Sequence, residues 1–133
     1  MLKELEYPFD PSFILKKKKS IKRSLLSDEN QNNKRIKKNI AILGGGTTND
    51  IKLVLELFLL HYGIEPHFYE SEYNSYYEDA VFGNGNLSQF KPDIIYICTS
   101  VHNISSLPNL KNTKERVDSL LDIEFTKYTH IWN

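Results

Sequence analysis

The run Ile40-Ala41-Ile42-Leu43, followed at once by Gly44-Gly45-Gly46, constrains this chain more than any other segment. Four successive apolar residues leave no polar face, so they suit a strand buried on both sides, as in a parallel sheet. The glycines and Thr47-Thr48-Asn49 then turn the chain into a helix, capped by a threonine or by Asn49. That helix is predicted over residues 50–62, with Gly63 at the left-handed closing position. Ile51, Leu53, Val54, Leu55, Leu57, Phe58, Leu59 and Leu60 cover most of its circumference, and Lys52 with Glu56 marks one polar stripe. A helix so apolar needs cover on more than one side.

Two further strands follow from the same logic. His67-Phe68-Tyr69-Glu70 comes after a turn at Gly63-Ile64-Glu65-Pro66, and Ile94-Ile95-Tyr96-Ile97-Cys98 is again continuously apolar. Between them lie an acidic, tyrosine-rich short helix and loop at 72–82 and a flexible stretch at 83–86. A loop containing Pro108 leads to a last helix over residues 113–127. Alternating strands and helices predict an α/β fold: a three-layer sandwich around a small parallel sheet, Rossmann-like or flavodoxin-like, in the order 2-1-3. Such sheets average about five or six strands. The sequence stops at Trp132-Asn133 before a fourth strand, so the α/β part is expected to be incomplete without downstream sequence.

The formal charge of zero hides a division. Residues 1–38 hold eleven Lys and Arg against five Asp and Glu, a net +6, and the remaining six against twelve give −6. Asp10-Pro11 opens a helix, with aspartate as cap and proline in the first turn. Its face carries Ile14, Ile21 and Leu25, while Lys16, Lys17, Lys18, Lys19, Lys22 and Arg23 fill much of the rest. Residues 27–33 are polar and Asn-rich, as in a linker. The organisation expected is therefore a basic N-terminal helix and linker at 1–38 and an α/β domain at 39–133.

Several function classes are disfavoured. Beyond Phe13 the basic helix lacks the interleaved aromatics that a nucleic-acid partner would call for. The longest apolar stretch, residues 54–60, is broken by Glu56 and is too short to span a bilayer. The single Cys98 forms no internal disulfide and suits a reducing compartment, and the charged N-terminus has no secretory pattern, so a cytoplasmic location is expected. His61, His67, His102 and His130 show no metal-ligand spacing, so no metal is expected.

In open α/β sheets ligands bind at the carboxyl ends of the strands, beside helix amino termini. Three segments converge there: Gly44, Gly45, Gly46, Thr47, Thr48 and Asn49; the Glu70–Asn74 segment; and Thr99, Ser100, His102 and Asn103, within residues 99–104. As a dinucleotide loop the first has Gly44-x-Gly46-x-x-Asn49 and lacks the third glycine, with Glu70 or Glu72 available for a ribose. As a phosphate-binding P-loop it fails, because no Gly-Lys-Ser/Thr follows. As the esterase turn of SGNH hydrolases it has the right strand and turn, but Gly46 stands at the serine position and no Asp-x-x-His supplies a base. Thr47 is adjacent but one residue out of place, so an esterase here would have to use Thr47 or Thr48. A purely structural role, glycines permitting a tight turn, is the simplest alternative. Asn103 is of a type that stabilises oxyanions, or it caps its own loop.

Taken together, the segments resemble the amino-terminal part of FkbH-like proteins. The resemblance rests on Tyr7-Pro8-Phe9-Asp10-Pro11 with the following lysines, and on Leu43-Gly44-Gly45-Gly46-Thr47-Thr48-Asn49. Tyr62-Gly63-Ile64-Glu65-Pro66, Phe68-Tyr69-Glu70-Ser71-Glu72-Tyr73-Asn74 and Phe90-Lys91-Pro92-Asp93 extend it in the same order. It implies an SGNH-like front domain joined to a haloacid-dehalogenase (HAD) domain that passes a glyceryl group to an acyl carrier protein. This chain has no Asp-x-Asp, the signature of the HAD nucleophile and its Mg²⁺, so that chemistry and that metal are expected only in a downstream domain. The family's Gly-Gly-Ser-Thr-Thr has become Gly-Gly-Gly-Thr-Thr. The expectation is a front domain with no catalytic residue and no cofactor of its own, which docks an acyl carrier protein or shapes a HAD active site in cis. Alternatives are a degenerate esterase or a nucleotide- or phosphate-binding module at the 44–49 loop.

Overall fold

A computed structural model describes residues 2–27, 34–83 and 85–133. The predicted linker beyond Ser27 and Asn84 of the predicted flexible stretch fall outside them. Three parallel strands form an open sheet in the order β2-β1-β3: β1 (Ile36–Gly44), β2 (Ile64–Glu70) and β3 (Ile94–Cys98). Among the described residues there are five α-helices: α1 (Pro11–Leu26), α2 (Asn49–His61), α3 (Tyr76–Val81), α4 (Asn86–Phe90) and α5 (Lys114–Trp132). The chain is thus an α/β protein with the strand order expected from right-handed crossovers.

Ile40 lies opposite Phe68 of β2 and Ile94 of β3, which sets the register on both sides of the central strand. Ile40 through Leu43 are all buried, as a strand covered on both faces requires. β1 begins four residues before its apolar run, because Ile36 through Asn39 pair with Ile64 through His67. The segment read as a turn at 64–66 is consequently strand. Pro66 is tolerated there because β2 is an edge strand, where a missing N–H on the outer side breaks no ladder. Asn86, expected in a flexible stretch, opens α4, and α5 continues to Trp132, past the predicted end at residue 127.

The cover demanded by α2 comes from two directions. It packs on β2, and on its other side α1 contributes Ile14, Ile21 and Leu25 to a buried cluster with Leu57, Leu60 and Leu5. Asp10 opens α1 as expected, its Oδ1 accepting from the Ser12 and Phe13 amides at 2.9 and 3.2 Å. Lys18 pairs with Asp50 and Lys22 with Glu56, each at 2.8 Å, so part of the lysine run is spent holding the two helices together. Arg35 completes the junction. Its buried guanidinium donates to the Leu25 carbonyl at 2.8 Å and the Leu60 carbonyl at 3.3 Å, satisfying the last turns of both helices. The boundary drawn at residue 38 falls inside β1, and α1 shares one core with α2. Among the described residues no helix is long and apolar enough to cross a membrane.

Candidate functional site at the carboxyl ends of the strands

Gly44 ends β1, and the loop after it is fastened to both neighbouring strands. The Gly44 amide donates to Ser71 Oγ just past β2, and the Gly45 amide to the Cys98 carbonyl at the end of β3, both at 2.9 Å. The first two glycines are required by close approach. A β-carbon on Gly44 would lie 2.5 Å from Thr48 Cγ2, and one on Gly45 would lie 2.3 Å from the Asn103 carboxamide. Gly46 faces open space, with nothing within 4 Å of such an atom.

Asn103 reaches the loop from a short 3-10 turn, Val101–Asn103, that follows β3. Its Nδ2 donates to the Gly45 carbonyl at 2.7 Å and to Asn74 Oδ1 at 3.1 Å. Its Oδ1 accepts from the Ser100 amide at 2.8 Å, and Ser100 Oγ accepts from His102 N in return, at 3.3 Å. Asn74 can occupy its place because asparagine accepts the left-handed backbone it adopts there, with φ of 57°. The Asn103 carboxamide is therefore consumed in joining three loops, which leaves it poorly placed to stabilise an oxyanion.

Glu70 belongs to a separate cluster. The buried Thr48 hydroxyl donates to Glu70 Oε2 at 2.9 Å, and Lys52 pairs with Oε1. Burial alone would raise the carboxyl's pKa, but the hydrogen bonds from Lys52 and Thr48 outweigh it and hold the group below the usual carboxylate range. A carboxylate stabilised in this way is a poor base for the hydroxyl it touches. Thr48 precedes α2 but makes no capping bond, because its side chain is given to Glu70. Thr47 is exposed, and Asn49 is the first residue of the helix. The Thr99 hydroxyl accepts from Tyr128 at 3.0 Å, which ties α5 to the end of β3.

Beside Asn103 lies a cleft of about 490 Å³, lined by Asn74, Tyr76, Tyr77, His102 and Lys127 among others. Lys127 Nζ donates to the Asn103 carbonyl at 3.0 Å and Ser105 Oγ at 3.2 Å, and sits 5.3 Å from the centre of the Tyr76 ring. Burial works against this ammonium's charge, yet Tyr76 and Glu124 beside it keep its pKa above the ordinary lysine value. The Tyr76 phenol is itself pushed up by burial. Sequence reasoning missed Lys127 and Tyr76, while Ser71 and Asn74 fall in the Glu70–Asn74 segment it placed at the site. Glu124, Lys127, Tyr128 and Ile131 recur at helical spacing once the last helix runs beyond residue 127, but that spacing does not show what their face meets.

Of the eleven residues singled out from sequence, Gly45 and Asn103 are joined directly, Ser100 supports Asn103, and His102 lines the cleft. Thr48 and Glu70 meet each other but not Asn103. Among the described residues no group of three or more His, Cys, Asp or Glu side chains is arranged to hold a metal ion. Comparison with protein-family models, with curated proteins and with solved structures returned no match.

Proposed function

We propose that this chain is a non-catalytic α/β module of the SGNH-like kind that precedes HAD domains in FkbH-like proteins, and that it works by docking an acyl carrier protein. The observation that carries the docking role is a trough between α1 and α2, of about 500 Å³, lined by Leu15, Ile51, Val54, Leu55 and Phe58. Leu15 is 49% exposed and Ile51 39%, although both lie beside the buried cluster that joins the two helices. Lys19 follows Leu15 by one helical turn, and among the described residues Lys16, Lys17 and Lys19 have no ion-pair partner. An apolar floor edged by Asp50, which Lys18 pairs, with Lys19 one turn beyond Leu15, suits an amphipathic helix with an acidic face, the general chemistry of helix-in-groove recognition.

The non-catalytic half of the reading is supported by the loop. The position next to the strand exit where an esterase would carry its serine is Gly46, which has no nucleophile. The neighbouring Thr48 hydroxyl is bonded to a carboxylate already neutralised by Lys52. Isothermal titration with a phosphopantetheinylated carrier protein tests the proposal. Saturable binding, weakened by Lys16→Glu and Lys19→Glu together, is expected; heat indistinguishable from dilution at high micromolar carrier protein would remove the docking role.

A further inference from the structure

The trough between α1 and α2 has an aromatic continuation. Phe58, part of its lining, meets the Phe9 ring edge to face at a centroid distance of 5.4 Å. Phe9 in turn meets Tyr7 at 6.4 Å, with the two ring planes at 85°. Edge-to-face pairs of this kind are favoured by the ring quadrupoles. Three rings thus lead out of the trough onto the segment before α1, where Phe9 is 43% exposed and Tyr7 90%.

That segment is fastened at both ends. Before Tyr7, Leu5 closes a 3-10 turn (Lys3–Leu5) and is buried in the cluster with Leu57 and Leu60. After Phe9, Asp10 caps α1. Tyr7 therefore stands in water on a short stretch whose flanks are fixed, so little backbone freedom is left to lose on binding. Single apolar side chains on a surface are ordinary, but this ring prolongs a groove. A rigid side chain with only two torsions offers large contact area at low entropic cost, and tyrosine is enriched among the few residues that dominate interfaces. Charge differs along the surface. Lys16 and Lys19 flank Leu15 in α1, whereas Glu4 and Glu6 are the exposed carboxylates beside Tyr7. They repel an acidic side chain at that end, so an apolar one suits it.

We propose that Tyr7 is the outer contact of the docking surface and the residue that sets its affinity. The amphipathic helix of the carrier protein fills the trough and turns acidic side chains toward Lys16 and Lys19. Beyond the trough it lays one further apolar side chain on the Tyr7 and Phe9 rings. This inference rests on the docking role proposed above and adds to it the specificity-determining residue.

Isothermal titration of phosphopantetheinylated carrier protein into the native chain, Tyr7→Ser and Tyr7→Phe tests this. Tyr7→Ser should weaken binding roughly tenfold with the circular dichroism unchanged, because the ring is almost fully exposed. Tyr7→Phe keeps the ring and should bind within about twofold of the native chain. Native affinity in Tyr7→Ser would overturn the role of Tyr7 while leaving the docking role standing. A native chain that binds no carrier protein would overturn both. If Tyr7→Ser fails to fold, nuclear Overhauser contacts between the Tyr7 ring and carrier methyl groups in the native complex decide. Their presence sustains the proposal, and their absence from a complex that forms overturns it.

Discussion

Asn103 lies directly across Gly45: its Nδ2 is 2.7 Å from the Gly45 carbonyl, and a β-carbon on Gly45 would fall 2.3 Å from the same carboxamide. The glycine loop after β1 and the turn after β3 are therefore one mechanical unit, with Asn74 as the third member. Glycine is needed at position 45 for this close approach, whereas Gly46, in open space, is free of the constraint.

Gly45→Ala should accordingly displace Asn103 and break its hydrogen bonds to Gly45, Asn74 and Ser100. At about 0.5–1.5 kcal/mol for each net bond, the expected cost of the three is about 1.5–4.5 kcal/mol. Gly46→Ala and Gly46→Ser should stay within about 0.5 kcal/mol of the native chain. Urea midpoints for the three variants check the contrast, and a Gly46→Ala cost equal to that of Gly45→Ala would contradict it.

Arg35→Ala should destabilise the chain by about 1–3 kcal/mol, because it leaves the Leu25 carbonyl without its 2.8 Å donor in a buried junction, while the Leu60 carbonyl keeps the Gly63 amide. Arg35→Lys should recover only part of this, since an ammonium lacks the planar fork that reaches two carbonyls at once. Thermal unfolding at one fixed protein concentration measures both.

Much of the fold was legible in the sequence, and the reasons are local. Ile94 to Cys98 reads as a strand from its unbroken apolar run, and Asp10-Pro11 as a helix start from capping chemistry. The 2-1-3 order follows from handedness once three parallel strands alternate with helices. What escaped was set by tertiary contact. Residues 64–66 look like a turn because proline disfavours strands in general, yet β1 pairs with them at an edge where the missing amide matters little. The role of Arg35 at the helix junction has no local pattern, since the Leu25 and Leu60 carbonyls it reaches lie ten and twenty-five residues away. At the candidate site the converging loops were visible, whereas Lys127 sits inside the predicted helix with nothing local to show that its ammonium reaches the Asn103 carbonyl, twenty-four residues away.

The Thr48–Glu70–Lys52 cluster should make part of the stability pH-dependent. Glu70 has a folded-state pKa lowered from 4.5, so its contribution is full above that value and is lost as pH falls through the lower folded-state value. Glu70→Gln should cost about 1 kcal/mol at neutral pH, a discounted figure for a partly exposed pair. The gap between variant and native chain should close on acidification to below the Glu70 transition. Urea midpoints recorded across the acid range follow it, and a constant gap would contradict the assignment.

Tyr69 supplies the corresponding alkaline signature. Burial, and then its 2.7 Å hydrogen bond to Asp79, push the phenol up to about 12. The folded state therefore favours the neutral phenol. Stability from this group is complete below the ordinary value of 10 and is lost as pH rises from there through about 12. Asp79→Asn should bring the latest-titrating tyrosine in the ultraviolet spectrum to lower pH, whereas an unchanged titration would rule out Asp79 as a cause.

The most direct measurement of the central claim is an amide chemical-shift map of this chain titrated with holo-acyl carrier protein. A docking module of the proposed kind shows saturable shifts concentrated around Leu15, Lys19, Ile51, Val54 and Phe58, with the 44–49 loop unmoved. Saturable shifts centred on Gly45, Gly46 and Asn103, with α1 silent, would contradict it and return the glycine loop to the role of ligand site.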